Sequence, residues 1–167
     1  AVQMSPGAVL NLENKKDKTE QDVYKLTIIY YREYQRTKLK KIFQTHEKKF
    51  PGHPVVMWLQ GVILLGDHRY QECRDVLAGV IKGHPDFYPA ILTLAHLDYV
   101  QKDFERAYGS AVEMMEKGEE LSRFHFTVSL LIAAGSKGIM TKKSLIRAIP
   151  SYFEVNGYLK KAQALMP

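Results

Sequence analysis

Two stretches of the chain echo each other at a spacing of 34 residues. Pro51 returns as Pro85, Gly61 as Ala95, Tyr70 as Phe104 and Cys73 as Ala107, so a breaker matches a breaker, a tiny residue a tiny one, and a ring a ring. A period of about 34 is the length of one helix–turn–helix unit that stacks on copies of itself. Such a unit cannot cover its own apolar face and depends on its neighbours to do so. This spacing constrains the chain to a helical array more tightly than any single motif in it does.

Local signals agree. Thr19 is placed to cap a helix carrying Val23, Leu26, Ile29 and Tyr30. No Gly or Pro follows until Pro51, but the apolar phase changes near Gln35–Thr37, which predicts a helix pair over 19–49. Pro51-Gly52-His53-Pro54 is a stop, and Gly83-His84-Pro85 repeats it. Between and beyond them the pattern predicts helices over 55–65, 70–82, 88–100, 105–117 and 121–134, with a last one over 144–165 that Pro150 must open or kink. Neither β alternation nor βαβ spacing occurs, so the class is all-α. Residues 1–18, with Ser5-Pro6-Gly7 and a charged run from Glu13 to Lys18, read as a flexible leader. Residues 19–167 read as one domain.

Composition narrows the function classes. The 167 residues hold one cysteine, which rules out an internal disulfide, and no Cys/His cluster with metal spacing. The longest apolar run, Ser129 to Ala134, is far too short to cross a bilayer. No phosphate-binding glycine loop, nucleophile elbow or paired-acid frame appears, so neither an enzyme nor a metal or other cofactor is expected. The net charge of +6 is divided as +5 over 1–51, −4 over 52–136 and +5 over 137–167. The compartment stays open between cytoplasm and, if a leader has been removed, periplasm.

With small residues at 61, 73, 95 and 107, an aromatic three positions before 73 and 107, and prolines at 51, 85 and 167, the chain resembles the tetratricopeptide-repeat (TPR) family. The clearest units are 54–87 and 88–121; 19–51 is a degenerate pair and 122–167 a stretched one. The resemblance implies a right-handed solenoid of about three antiparallel helix pairs with an extended C-terminal helix. It also implies a concave groove lined by Val55, Trp58, Leu59, Val62 and Leu65 from one unit and Leu92, His96, Tyr99 and Val100 from the next. Relatives that clamp carboxylate tails need Lys and Asn where Trp58 and Val62 stand, so this groove would be apolar. It would suit a peptide or helix of another protein, which makes the chain an interaction scaffold that assists complex assembly.

Two alternatives remain. An apolar groove would also hold a lipid or small hydrophobic ligand, as in the periplasmic repeat proteins associated with TRAP-type solute transporters, which this chain resembles in joining repeats to longer C-terminal helices. Second, Arg36, Lys38, Lys40, Lys41, Lys48 and Lys49, with Lys142, Lys143 and Arg147, form basic stretches. They could meet nucleic acid or an anionic membrane, with Tyr30, Tyr31 and Tyr34 as stacking partners, although charge runs more often solvate a surface, so nucleic acid ranks low. Cys73 stands at a small-residue position and is expected to be a buried, inert thiol.

Overall fold

The structure, a computed structural model, describes residues 5–32, 35–116 and 123–138. These residues form eight helices and no strand: α1 (Pro6–Asn14), α2 (Glu20–Arg32), α3 (Arg36–His46), α4 (Pro54–Gly66), α5 (Tyr70–Gly83), α6 (Tyr88–Val100), α7 (Phe104–Glu116) and α8 (Arg123–Ser136). Helices α2, α4 and α6 begin at 20, 54 and 88, and α3, α5 and α7 at 36, 70 and 104. Each step is 34 residues, so the period legible at 51–107 extends back through α2 and α3. The final helix expected over 144–165 lies outside the described residues.

The turns repeat as well. After α4 the chain crosses the left-handed region at His68 (φ 59°), and after α6 at Lys102 (φ 66°), again 34 residues apart. In both turns the chain closes the helix on itself. Arg69 N–H donates to the Leu64 carbonyl at 3.0 Å and Asp103 N–H to that of Asp98 at 2.9 Å, the six-residue bond of a Schellman cap. The third such turn has Gly138 at φ 73°, where a glycine bears no penalty.

Each helix packs on the next, and α2, α4, α6 and α8 also pack on one another in a row. Small side chains permit the close approach. Thr27, Gly61, Ala95 and Ser129 follow one another at intervals of 34, and all four are buried. A Cβ on Gly61 would meet Leu77 Cδ2 of α5 at 2.6 Å, and the Cys73 thiol donates to the Gly61 carbonyl at 3.3 Å. In the next unit Ala95, Ala107 and Ala111 are all fully buried. A cross-unit ion pair adds to this: Asp98, 1% exposed, accepts from Arg74 at 2.7 Å, joining α5 to α6.

Residues 1–18, expected as a flexible leader, contain α1. The triplet read as a turn acts as a helix start: Ser5 Oγ accepts from Ala8 N–H at 3.2 Å and Pro6 opens the first turn. Nine residues are too few for an isolated helix in water, so α1 depends on docking. Leu12 is buried, Glu13 accepts from the Tyr30 hydroxyl and from Lys38, and Lys15 pairs with Asp22 at 2.8 Å. Asp22 and Thr19 cap α2 reciprocally, Asp22 accepting from Thr19 N–H at 2.9 Å and Thr19 Oγ1 from Asp22 N–H at 3.2 Å.

Two predictions test this architecture. Lys102→Gly relieves a non-glycine left-handed residue on an exposed turn and raises stability by about 1 kcal/mol, roughly 2–4 °C in thermal melts. Ala107→Leu overpacks the α6–α7 crossing and lowers stability by about 1–3 kcal/mol in urea titrations; an unchanged midpoint would contradict the register.

Candidate functional site

The groove positions implied by the repeat register divide into two groups. Val55, Trp58, Leu59, Leu92 and Tyr99 belong to the core. Trp58 is 3% exposed, its indole N–H donates to Thr93 Oγ1 at 2.9 Å, and its ring lies between Tyr24 (centroids 5.7 Å) and Phe87 (6.1 Å). Thr93 in turn donates to the Pro89 carbonyl. The indole is thereby fixed to α6 and is satisfied without a ligand. Tyr99 packs against Phe104 at 5.5 Å, and a Cβ on Gly135 of α8 would lie 2.8 Å from its ring. Between these residues only a void of about 10 Å³ remains, walled by Ile28, Tyr31, Trp58, Pro89, Leu92, Thr93 and Val128.

A hydrogen bond across the row separates this filled half from the rest. The hydroxyl of Tyr31 on α2 meets Nδ1 of His96 on α6 at 2.5 Å, reaching past α4. His96 is 7% exposed, and burial pushes its pKa down from 6.5 to about 4. The imidazole is therefore neutral at physiological pH, and the bond joins two uncharged groups.

On the other side of that bond lies a chamber of about 410 Å³. Its walls are Leu39 of α3, Val62, Ile63, Leu65 and Gly66 of α4, and Val100 of α6, with Tyr31 and His96 contributing the cross-row pair. Arg36, His68 and Tyr70 complete the lining. The Tyr70 hydroxyl and His68 Nδ1 are 2.8 Å apart with rings nearly perpendicular. Arg36 and Lys40 both pair with Asp67, Lys40 at 3.2 Å. Val62, Leu65, His96 and Val100 are thus the groove positions that meet here. Tyr31, Leu39, Ile63, Gly66, His68 and Tyr70 are lining residues that the groove positions omit. Tyr31 was within reach of the register, lying 34 before Leu65; His68 and Tyr70 enter only because the α4–α5 turn folds back over the chamber.

The basic stretch is broken up by pairing. Arg36 and Lys40 go to Asp67, Lys38 to Glu13 at 3.1 Å, and Lys49 to Asp17. Lys38 also lies over the Tyr30 ring, 5.3 Å from its centroid. Lys41 and Lys48 are exposed; Lys142, Lys143, Arg147 and Tyr34 lie outside the described residues. The Cys73 thiol is buried and its pKa is pushed up to about 11 by burial, so thiolate reactivity is suppressed. Among the described residues no three His, Cys, Asp or Glu side chains converge as metal ligands, and no helix is long and apolar enough to cross a membrane.

Comparison with family models, with curated proteins and with solved structures gives no match.

The Tyr31–His96 bond carries a pH prediction. The folded pKa of His96 lies below its ordinary value, so between pH 6.5 and about 4 the unfolded chain binds the extra proton. Its contribution to stability is complete above 6.5 and declines as pH falls through that window, by about 1 kcal/mol per pH unit in its middle. Urea midpoints should fall between pH 7 and 5, and His96→Gln should flatten that slope; an equal slope in the variant would refute the assignment.

Proposed function

We propose that the chain is a right-handed solenoid of tetratricopeptide-type hairpins, α2–α3, α4–α5 and α6–α7 with α8 opening another, and that it serves as a binding protein for a compact apolar ligand. The architecture is supported by helix starts at constant intervals of 34, by the left-handed turn recurring at His68 and Lys102, and by the row of mutually packed α2, α4, α6 and α8.

The observation that carries the functional reading is the 410 Å³ chamber, bounded by apolar side chains of α3, α4 and α6 and by the uncharged Tyr31–His96 pair. Its volume falls in the range of about 300–1,000 Å³ typical of small-molecule sites. Beside it, the remainder of the concave side is occupied by the protein's own Trp58, Leu92 and Val128. An extended peptide would need a continuous groove; a compact ligand needs only the chamber. The scaffold reading keeps one support: Val62, Leu65 and Val100 line the chamber, so an apolar side chain of a partner peptide would find the same walls.

Gly66 provides the test. It lines the chamber, has ordinary backbone geometry, and a Cβ placed on it meets nothing within 4 Å. Gly66→Phe should therefore fill the space without disturbing the fold. The uncharged fluorophore N-phenyl-1-naphthylamine should bind the native chain saturably, and the variant should bind it at least about ten-fold more weakly. Absence of binding to the native chain, or equal binding to both, would overturn the proposal.

A further inference from the structure

The polar groups of the chamber are not evenly distributed, and their arrangement defines a head and a tail. At the inner end the polar atoms belong to Tyr31 and His96, which satisfy each other and carry no charge. Formal charge is confined to the mouth, where Arg36 and Lys40 stand against the single carboxylate of Asp67. Arg36 remains 60% exposed while paired, so most of its guanidinium N–H groups still face outward.

The backbone adds to the same sign. Helices α3 and α5 begin at the mouth, at Arg36 and Tyr70, and neither has a side-chain cap on its first turn. Their opening N–H groups and positive dipole ends favour an anion. The opposing C-terminal ends of α4 and α6 are engaged by their own turns, with Asp67 N–H donating to Ile63 and Gln101 N–H to Leu97, both at 2.9 Å. By contrast, α7 is capped: Asp103 accepts from Arg106 N–H at 3.2 Å.

We infer that the chamber takes an amphiphile with one apolar chain and a terminal carboxylate, the carboxylate held at Arg36 and the chain lying against Val62, Leu65 and Val100. This rests on the chamber being the ligand site. Size agrees with a single chain. At about 30 Å³ per liquid-packed group, 410 Å³ accommodates some fourteen groups, the size of a saturated acid of about twelve carbons.

Calorimetric titration of the full chain with decanoate, decan-1-ol and decyltrimethylammonium, each below its aggregation concentration, separates head from tail. Decanoate should bind about ten-fold or more tightly than the alcohol, and the ammonium weakest. Arg36→Gln should remove most of the decanoate advantage and leave the alcohol unchanged. Gly66→Phe should weaken both decanoate and the alcohol. If all three probes bind within about three-fold of one another, the carboxylate inference is overturned while the apolar chamber stands. Retention of the decanoate advantage in Arg36→Gln overturns it too. If none of the probes binds, the chamber itself fails as a ligand site.

Discussion

The structure depends on how closely paired helices can approach, and the column of small residues sets that distance. With no side chain at Gly61, Leu77 of α5 reaches the α4 backbone, and Cys73 can donate to the Gly61 carbonyl. At Ala95 and Ala107 a single methyl serves the same purpose. Helix axes then sit at the near end of the usual separation of about 8–10 Å. Narrow pairs stack into a row in which α2 and α6, two units apart, are near enough for one phenol and one imidazole to meet.

That meeting decides what the concave side can do. Concave faces of stacked helix pairs are natural docking surfaces because the stacking leaves them uncovered. Here the Tyr31–His96 bond spans the surface, and the residues on one side of it are covered by their neighbours. Trp58 shows the consequence: a lone tryptophan at a groove position has the chemistry of a binding anchor, yet its indole N–H is bonded to Thr93 and its faces are covered by Tyr24 and Phe87. An anchor residue must be unsatisfied until its partner arrives, and Trp58 is satisfied already.

Much of the fold was legible because the period is written in residue size, which sequence records directly. The pairs Gly61/Ala95 and Cys73/Ala107 located the crossings, and Thr19 located a helix start. Thr27 and Ser129 complete the same column but read as polar rather than small, so the column was legible at only two of its four positions. Helix α1 was missed because Ser-Pro-Gly is compatible with both a turn and a cap followed by an opening proline; the choice is made by Leu12 and by Glu13 finding Tyr30 and Lys38, contacts distant in sequence. The site was legible only as an apolar strip. Its division into a filled half and an open half depends on a contact spanning 65 residues, and side-chain reach across units leaves no periodic trace.

The same reasoning explains why a basic stretch became part of a site rather than a solvated face. Arg36 and Lys40 fall at the opening of α3, and the period places that opening beside the turn that ends α4. Asp67 in that turn draws both cations inward across the mouth of the chamber. A single carboxylate cannot neutralise two cations, so the mouth keeps a positive excess while the walls behind it are apolar. A uniform apolar surface would favour any greasy partner equally. A charged rim in front of an uncharged interior instead ranks ligands by their heads, because the cost of removing a charge from water is recovered only where an opposite charge is waiting.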